Sequence, residues 1–323
     1  MCKIVLCSFA NSKYGAGLRR LVHEAERSGL FDEIAAFGDD DLEDEYWNRY
    51  GEFIRSNPRG FGYWIWKSHI VNRVMDKLQD NDILVFLDAG CGINHRYAKE
   101  KFHRYVEMLR ASENGILCFT TGLAESNWDK GDVIDYFGVR DRADILDSEQ
   151  IMSGIWMMVK NDVTTAMCRR WEEITHSDMH LVDDSPSASP DMEGFVENRH
   201  DQSLFSLLVK LTGGARVMGP DEVEVDFFVR DRGLRTYRRY RENIFLALRE
   251  KDGLVYTCSN HGKQRGHERL WDIMNSIEDV RKTHHLLYTI FLKLPYLAMK
   301  PVDRHILRKY HQRIDDADRH MEK

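Results

Sequence analysis

The apolar run ILVFL, Ile83–Leu87, ends on a carboxylate, Asp88, and then breaks into Ala89, Gly90, Cys91 and Gly92. An acid at the carboxyl end of a buried strand stands where open parallel sheets bind their ligands. It can coordinate a divalent cation or bond a ribose hydroxyl, while Gly90 and Gly92 let the backbone approach a bulky group closely. The plainer alternative is that Asp88 caps a turn which the glycines make.

Two other clusters carry comparable chemistry. RGFGYWIWK, residues 59–67, sets the cations Arg59 and Lys67 around a glycine-containing bend, a combination suited to a diphosphate or a ribose. Its aromatics Tyr63, Trp64 and Trp66 read equally as core or as the wall of a site, and Lys67 as a solvated surface residue. In NRHDQSLFSLL, His200, Asp201 and Gln202 crowd the first turn of a helix whose Leu204, Phe205, Leu207 and Leu208 face a core. Asp201 suits a helix start on dipole grounds; it equally suits a sugar hydroxyl or the role of general base.

Shorter signals surround these. The first strand leaves through the polar turn CSFANSKY, and SGIWMMVKN puts Ser153 and Gly154 at the start of a later strand. Residues 228–243 hold six arginines with Tyr237 and Tyr240, read either as a loop over an anionic ligand or as a solvated helix face. No GxGxxG follows the first strand, which argues against a nicotinamide or flavin enzyme. The six cysteines form no CxxC pair, so reduced thiols and no zinc site are expected.

The elements that must position these residues follow a strand–helix rhythm. KIVLCSFA, a helix over 18–29 stopped by Gly29, and EIAAFG open a parallel α/β sheet. Residues 39–47 read as an acidic loop and 68–82 as a helix leading into DILVFLDAG. GILCFTT and SGIWMMVKN read as further strands, KFHRYVEMLRASE and DVTTAMCRRWEEITH as helices, and 176–194 as a long loop. GGARVMG is a turn plus strand, and GLVYTCSN, residues 253–260, a late strand. The 323-residue chain has a net charge of -7, which disfavours a nucleic-acid partner, yet residues 281–313 hold eight Lys/Arg and one acid, Asp303. That basic, partly apolar segment suits an anionic membrane surface; packing on the main domain or on a second subunit is the alternative. The start of the chain is too short in apolar residues for a signal peptide, and no transmembrane helix is expected.

In sequence order, DILVFLDAG, GILCFTT, SGIWMMVKN, NRHDQSLFSLL and SNHGK resemble nucleotide-sugar glycosyltransferases of the GT-A fold, the group containing glycogenin and bacterial lipopolysaccharide galactosyltransferases. RGFGYWIWK and LDAG are closer still to bacterial polysaccharide-biosynthesis glycosyltransferases. The resemblance covers roughly residues 1–265. It implies an α/β GT-A domain over 1–265, with a mostly parallel central sheet flanked by helices; after about Gly266 the pattern turns helical and basic, and 266–323 reads as a separate extension. The GT-A metal motif is Asp-x-Asp; here it is Asp88-Ala89-Gly90, without the second acid. The resemblance implies Mn²⁺ or Mg²⁺ held by Asp88 and His261, and Asp88 and Asp201 as catalytic residues. It implies a nucleotide-sugar site built from Ser8, Phe9, Asn11, Arg59, Trp64, Lys67, Gly90, Ser153, Gly154, His200, Gln202 and Lys263. The donor would be a nucleotide sugar, UDP-linked by preference, and the acceptor a glycan or lipid-linked glycan. The expected location is cytoplasmic, peripheral to the inner membrane face. Because one acid of the motif is missing, a non-catalytic nucleotide-sugar binder or scaffold is the alternative. A nucleotidyltransferase is a weaker one, since NSKYGAGLRR makes a poor phosphate loop.

Overall fold

The computed structural model describes residues 2–94, 99–223 and 243–247. The chain opens with β1 (Ile4–Phe9), α1 (Gly15–Ser28) and β2 (Glu33–Phe37). Gly29 ends α1 in a left-handed conformation, as its placement in the sequence implies. There follow α2 (Asp44–Ser56), the single turn α3 (Gly60–Tyr63), α4 (Trp66–Lys77), β3 (Ile83–Leu87), β4 (Gly92–Ile93) and α5 (Lys99–Ala111). β5 (Ile116–Ala124) leads through the short α6 (Glu125–Trp128), α7 (Gly131–Tyr136) and α8 (Ala143–Leu146) to β6 (Glu149–Val159). The remainder is α9 (Asp162–Ser177), α10 (Asp201–Thr212), β7 (Arg216–Met218) and β8 (Phe245–Leu246).

The central sheet has the order β2-β1-β3-β6-β5-β7. β1 runs parallel to β2 and β3, and β5 parallel to β7; β6 alone is antiparallel to its neighbours. The fold is thus α/β with a mostly parallel central sheet flanked by helices. Alternation along the strands sends Val5, Cys7 and Phe9 to a core shared with α2, α4, α9 and α10, and Leu6 to a core shared with α1 and α5. β3 lies between the two and is fully buried, which is why it reads as an unbroken apolar run. β4 and β8 form a separate two-stranded ladder beside α1.

Two expectations are corrected. Residues 39–47 are not merely an acidic loop: Asp44 and Glu45 are the first turn of α2, where acids favour the positive end of the helix dipole. α2 buries Tyr46, Tyr50 and Ile54, a four-residue spacing that an acid-rich stretch obscured. Ser153 and Gly154 are not at the start of a strand but midway along the 11-residue β6. The boundary near 265/266, the late strand 253–260, the arginine-rich 228–242 and the basic 281–313 lie outside the described residues.

The bend in RGFGYWIWK is a left-handed turn. Gly60, Phe61, Gly62, Tyr63 and Trp64 all have positive φ, at 58°, 56°, 82°, 52° and 61°. Each non-glycine residue in that conformation costs roughly 1–2 kcal/mol, so Phe61, Tyr63 and Trp64 together cost roughly 3–6 kcal/mol. Packing and hydrogen bonds offset it. The Trp66 indole donates to the Gly60 carbonyl at 3.0 Å, and the Gly62 amide to that of Asn57 at 2.8 Å. Tyr63 stacks on His200 at 4.9 Å between ring centroids. Gly62 leaves no room for a side chain, since a Cβ there would meet Ile54 Cγ1 at 2.9 Å. Gly62→Ala should therefore lower stability by about 2 kcal/mol or more, read as a shift in the urea midpoint. An unmoved midpoint would mean that this turn is not built as described.

Candidate active site

A cleft of about 440 Å³ opens at the carboxyl ends of β1 and β3. Phe61, Trp64 and Trp66 give it an aromatic wall, and Lys13, Ala16 and Gly17 line it where α1 begins. The turn after β3 supplies Asp88, Ala89, Gly90 and Cys91. Because β6 runs antiparallel, its middle passes beside this turn, and the Asp88 amide donates to the Gly154 carbonyl at 2.9 Å. The sheet's one reversed strand is what brings Ser153 and Gly154 to the site.

Beneath Asp88 lies a buried cation. The Lys67 ammonium is 3.2 Å from Asp88 Oδ1, 2.9 Å from Asp201 Oδ2 and 3.1 Å from Ser153 Oγ, which matches its three N–H donors to three acceptors. Ser153 in turn donates to Asp201 Oδ2 at 2.7 Å. Lys67 is 1% exposed, so the solvated-surface alternative is excluded. Burial pulls its pKa down, but Asp201 and Asp88 outweigh that and raise it, keeping the group charged. Burial pushes the Asp201 carboxyl up against the pull of Lys67. Asp88, with 39% of its side chain exposed, faces outward. Gly154 makes the arrangement possible: a Cβ there would lie 2.3 Å from Asp88 Oδ2.

A second buried pair fixes the turn itself. Arg20 of α1 bonds Glu24 at 3.1 Å and donates to the carbonyls of Ala89 and Cys91 at 3.2 and 2.8 Å. Glu24 accepts from the Ile93 amide at 2.8 Å. Gly17 permits the close approach, since its Cβ would stand 3.1 Å from the Ala89 carbonyl oxygen.

Of the residues singled out in the sequence, Phe9, Asn11, Trp64, Asp88, Gly90, Gly154 and Gln202 line the cleft. Lys67, Ser153 and Asp201 form the buried layer below it. Asp201, at 4% exposure and bonded to Lys67 and Ser153, belongs to that buried layer and does not line the cleft. Arg59 also lies outside the cleft lining; it pairs with Asp184 at 3.0 Å and Glu197 at 3.4 Å, tying α3 to the long loop before α10. His200 is buried against Tyr63 and Trp64, with Nδ1 2.7 Å from the Val182 carbonyl, and burial lowers its pKa. Ser8 is buried and does not line the cleft. His261 and Lys263 lie outside the described residues.

Several functional positions escaped the sequence reading. Phe61 lies within RGFGYWIWK, but its place on the cleft wall depends on the left-handed turn. Arg20 and Glu24 form an i, i+4 pair indistinguishable in sequence from a surface pair. Among the described residues no group of three His, Cys, Asp or Glu side chains is placed to hold a metal ion. Among the described residues Asp88 is the one carboxylate lining the cleft, and an ammonium already accompanies it. The described donor set therefore does not by itself fit a divalent cation, which wants several oxygen ligands.

No family model matches the sequence, and no curated protein matches it. Solved structures similar in layout include the galactosyltransferase LgtC in complex with donor and acceptor sugar analogs, with 11% identity and a TM-score of 0.45 over 84% of this chain and 95% of that one. A glycosyltransferase involved in glycosylation of the major capsid of PBCV-1 has 11% identity and a TM-score of 0.42, over 84% of this chain and 99% of that one. The apo-form glycosyltransferase GlyE of Streptococcus pneumoniae TIGR4 has 11% identity and a TM-score of 0.44, over 87% and 64%. No helix among the described residues is long and apolar enough to cross a membrane.

Removing the buried cation leaves Asp201 with the Ser153 hydroxyl but without a countercharge. Lys67→Met should cost about 3–5 kcal/mol in urea denaturation, and adding Asp201→Asn should recover a large part of that loss. Equal stability of the single and double variants would show that the two charges are not coupled.

Proposed function

We propose that this chain is a GT-A-type glycosyltransferase that moves a sugar from a nucleotide-diphosphate donor, UDP-linked by preference, to a glycan or lipid-linked glycan acceptor in surface polysaccharide assembly. The observation that carries the reading is the cleft at the carboxyl ends of β1 and β3, walled by Phe61, Trp64 and Trp66, with Asp88 on its floor. Aromatic faces suit a nucleotide base or the apolar face of a sugar. The first turn of α1 carries no acid and sits beside Lys13, an environment suited to a diphosphate. Asp88 and Gln202 offer hydrogen-bonding groups for sugar hydroxyls.

In this reading Asp88 is the residue that touches the reacting sugar, and Lys67, Asp201 and Ser153 hold it in place. Lys13 and the start of α1 oppose the charge that grows on the departing diphosphate. His261 is the further metal ligand that the resemblance implies. The segment 281–313 would meet an anionic membrane surface, placing the enzyme in the cytoplasm against the inner face.

Nucleoside diphosphate release from a panel of nucleotide sugars tests the reading. Asp88→Asn should lower turnover by about 100-fold or more while leaving the thermal midpoint close to that of the wild type. A chain that binds nucleotide sugars without releasing nucleoside diphosphate would be a binding protein, and near-normal turnover in the variant would remove Asp88 from the chemistry. Manganese titration of the nucleotide-free chain, followed by the spin resonance of the free ion, should leave the ion free in solution. A tight site in that experiment would show that residues beyond the described set complete a metal centre.

A further inference from the structure

We propose that Asp129 and Gln150 are positioning residues that fix the side-chain amide of Gln202, and with it the order of donor and acceptor that the cleft presents to a sugar hydroxyl. The proposal rests on the reading of the cleft as a nucleotide-sugar site. Gln202 lines the cleft, and its Nε2 donates to Gln150 Oε1 at 2.6 Å. Its Oε1 accepts from the Ser153 amide at 3.4 Å. Gln150 is fully buried, and its own Nε2 donates to Asp129 Oδ1 at 2.8 Å. The amide of Gln150 cannot turn over without setting its oxygen against Asp129 and its nitrogen against the nitrogen of Gln202.

What orients Gln150 is a pair of buried carboxyl groups one helical turn apart. Glu125 and Asp129 are both 0% exposed, and the Asp129 amide donates to the Glu125 carbonyl at 2.9 Å. Glu125 Oε2 and Asp129 Oδ2 are left without a hydrogen-bond partner, although each is buried. One proton shared between them satisfies both atoms; two bare carboxylates satisfy neither. Glu125 Oε1 already receives Lys210 Nζ at 2.7 Å and the Ser206 hydroxyl, so the negative charge rests on Glu125 and the proton on Asp129. Burial and the neighbouring Glu125 hold the Asp129 carboxyl well above the usual carboxylate range, which agrees.

With the proton on Oδ2, Asp129 Oδ1 is a carbonyl oxygen and accepts from Gln150. Every bond then runs the same way: Gln202 donates to Gln150, Gln150 to Asp129, and Asp129 to Glu125. One N–H and one oxygen lone pair of Gln202 remain for a ligand, in an order set from inside the wall. Gln150 and Asp129 do not line the cleft, so their effect on a ligand passes through Gln202.

A double-mutant cycle with UDP-glucose, UDP-galactose and sugar-free UDP, read by calorimetry on the full chain, tests this. Gln150→Met and Gln202→Ala should each weaken binding of the preferred UDP-sugar by about tenfold, and the double variant by no more than either alone. UDP itself should weaken by less than about twofold, because a general loss of structure would move both ligands alike. Asp129→Asn, whose amide donates to Glu125 and accepts from Gln150, should recover the UDP-sugar affinity that Asp129→Leu loses. The wild type should also show the infrared carbonyl band of a protonated carboxylic acid at neutral pH, absent in Asp129→Asn. Additive losses, equal loss of UDP affinity, or no such band in the wild type would overturn the proposal. A wild type that binds neither UDP nor either UDP-sugar overturns the underlying sugar-site reading instead, and the infrared band still decides whether the proton-sharing pair exists.

Discussion

The site depends on one buried ammonium. Lys67 draws together α4, which carries it, the end of β3 through Asp88, the middle of β6 through Ser153, and the start of α10 through Asp201. Moving an ion out of water costs several kcal/mol even after relaxation, and three well-placed acceptors are what repays it. A fully satisfied ammonium has one position, and Asp88, bonded to it, inherits that precision. Two acids against one cation leave the cluster with an excess of one negative charge. The face that Asp88 turns toward the cleft is therefore an acceptor, and hydroxyl groups are the neutral ligands that suit it.

The backbone pays for this in two places and by two devices. Beside Asp88 the chain gives up a side chain, because even a methyl group on Gly154 would displace the carboxylate. At residues 60–64 it accepts left-handed geometry at three aromatic positions, and recovers the cost by stacking Tyr63 on His200 and bonding Trp66 to Gly60. The result places Phe61 and Trp64 on the cleft wall while Tyr63 turns inward. His200 itself has a positive φ of 59°, so both partners of that stack lie outside ordinary backbone geometry. Unfavourable backbone on the two sides of one contact is sustained only where surrounding packing over-determines it, and such positions concentrate at functional sites.

Much of this was legible in the sequence, for identifiable reasons. β3 announces itself because a strand buried on both faces needs no alternation, and Asp88 stands out because it ends that run. Lys67, Ser153, Gly154 and Asp201 each stand out in the sequence for a separate local reason. What stayed hidden was that three of them meet at a single nitrogen. That meeting depends on β6 running against its neighbours, and strand direction leaves no mark in residue order. Asp201 illustrates the difference: its place at a helix start was visible, whereas its burial against Lys67 comes from tertiary packing. Arg59 shows the same limit, because a cation beside a glycine bend has the same local sequence whether it faces a cleft or pairs, as it does here, with the loop acids Asp184 and Glu197. The stretch between β5 and β6 gives no periodic signal because its helices are only four to six residues long, too short for periodicity to register.

The triplet Asp88-Ala89-Gly90 gains a different meaning from this geometry. A second acid at position 90 would stand on the cleft floor beside Asp88, where Lys67 is already shared by two carboxylates. Its charge would have no compensating group among the described residues of that cluster, and an added cation would have to supply one. With glycine there, the second acid of the cluster is Asp201, placed beneath the floor and reached through Lys67. The carboxylate absent from the loop thus has a counterpart inside the protein, bonded to an ammonium. Asp88 is held by its ion pair with Lys67, and it remains available to the ligand in the cleft.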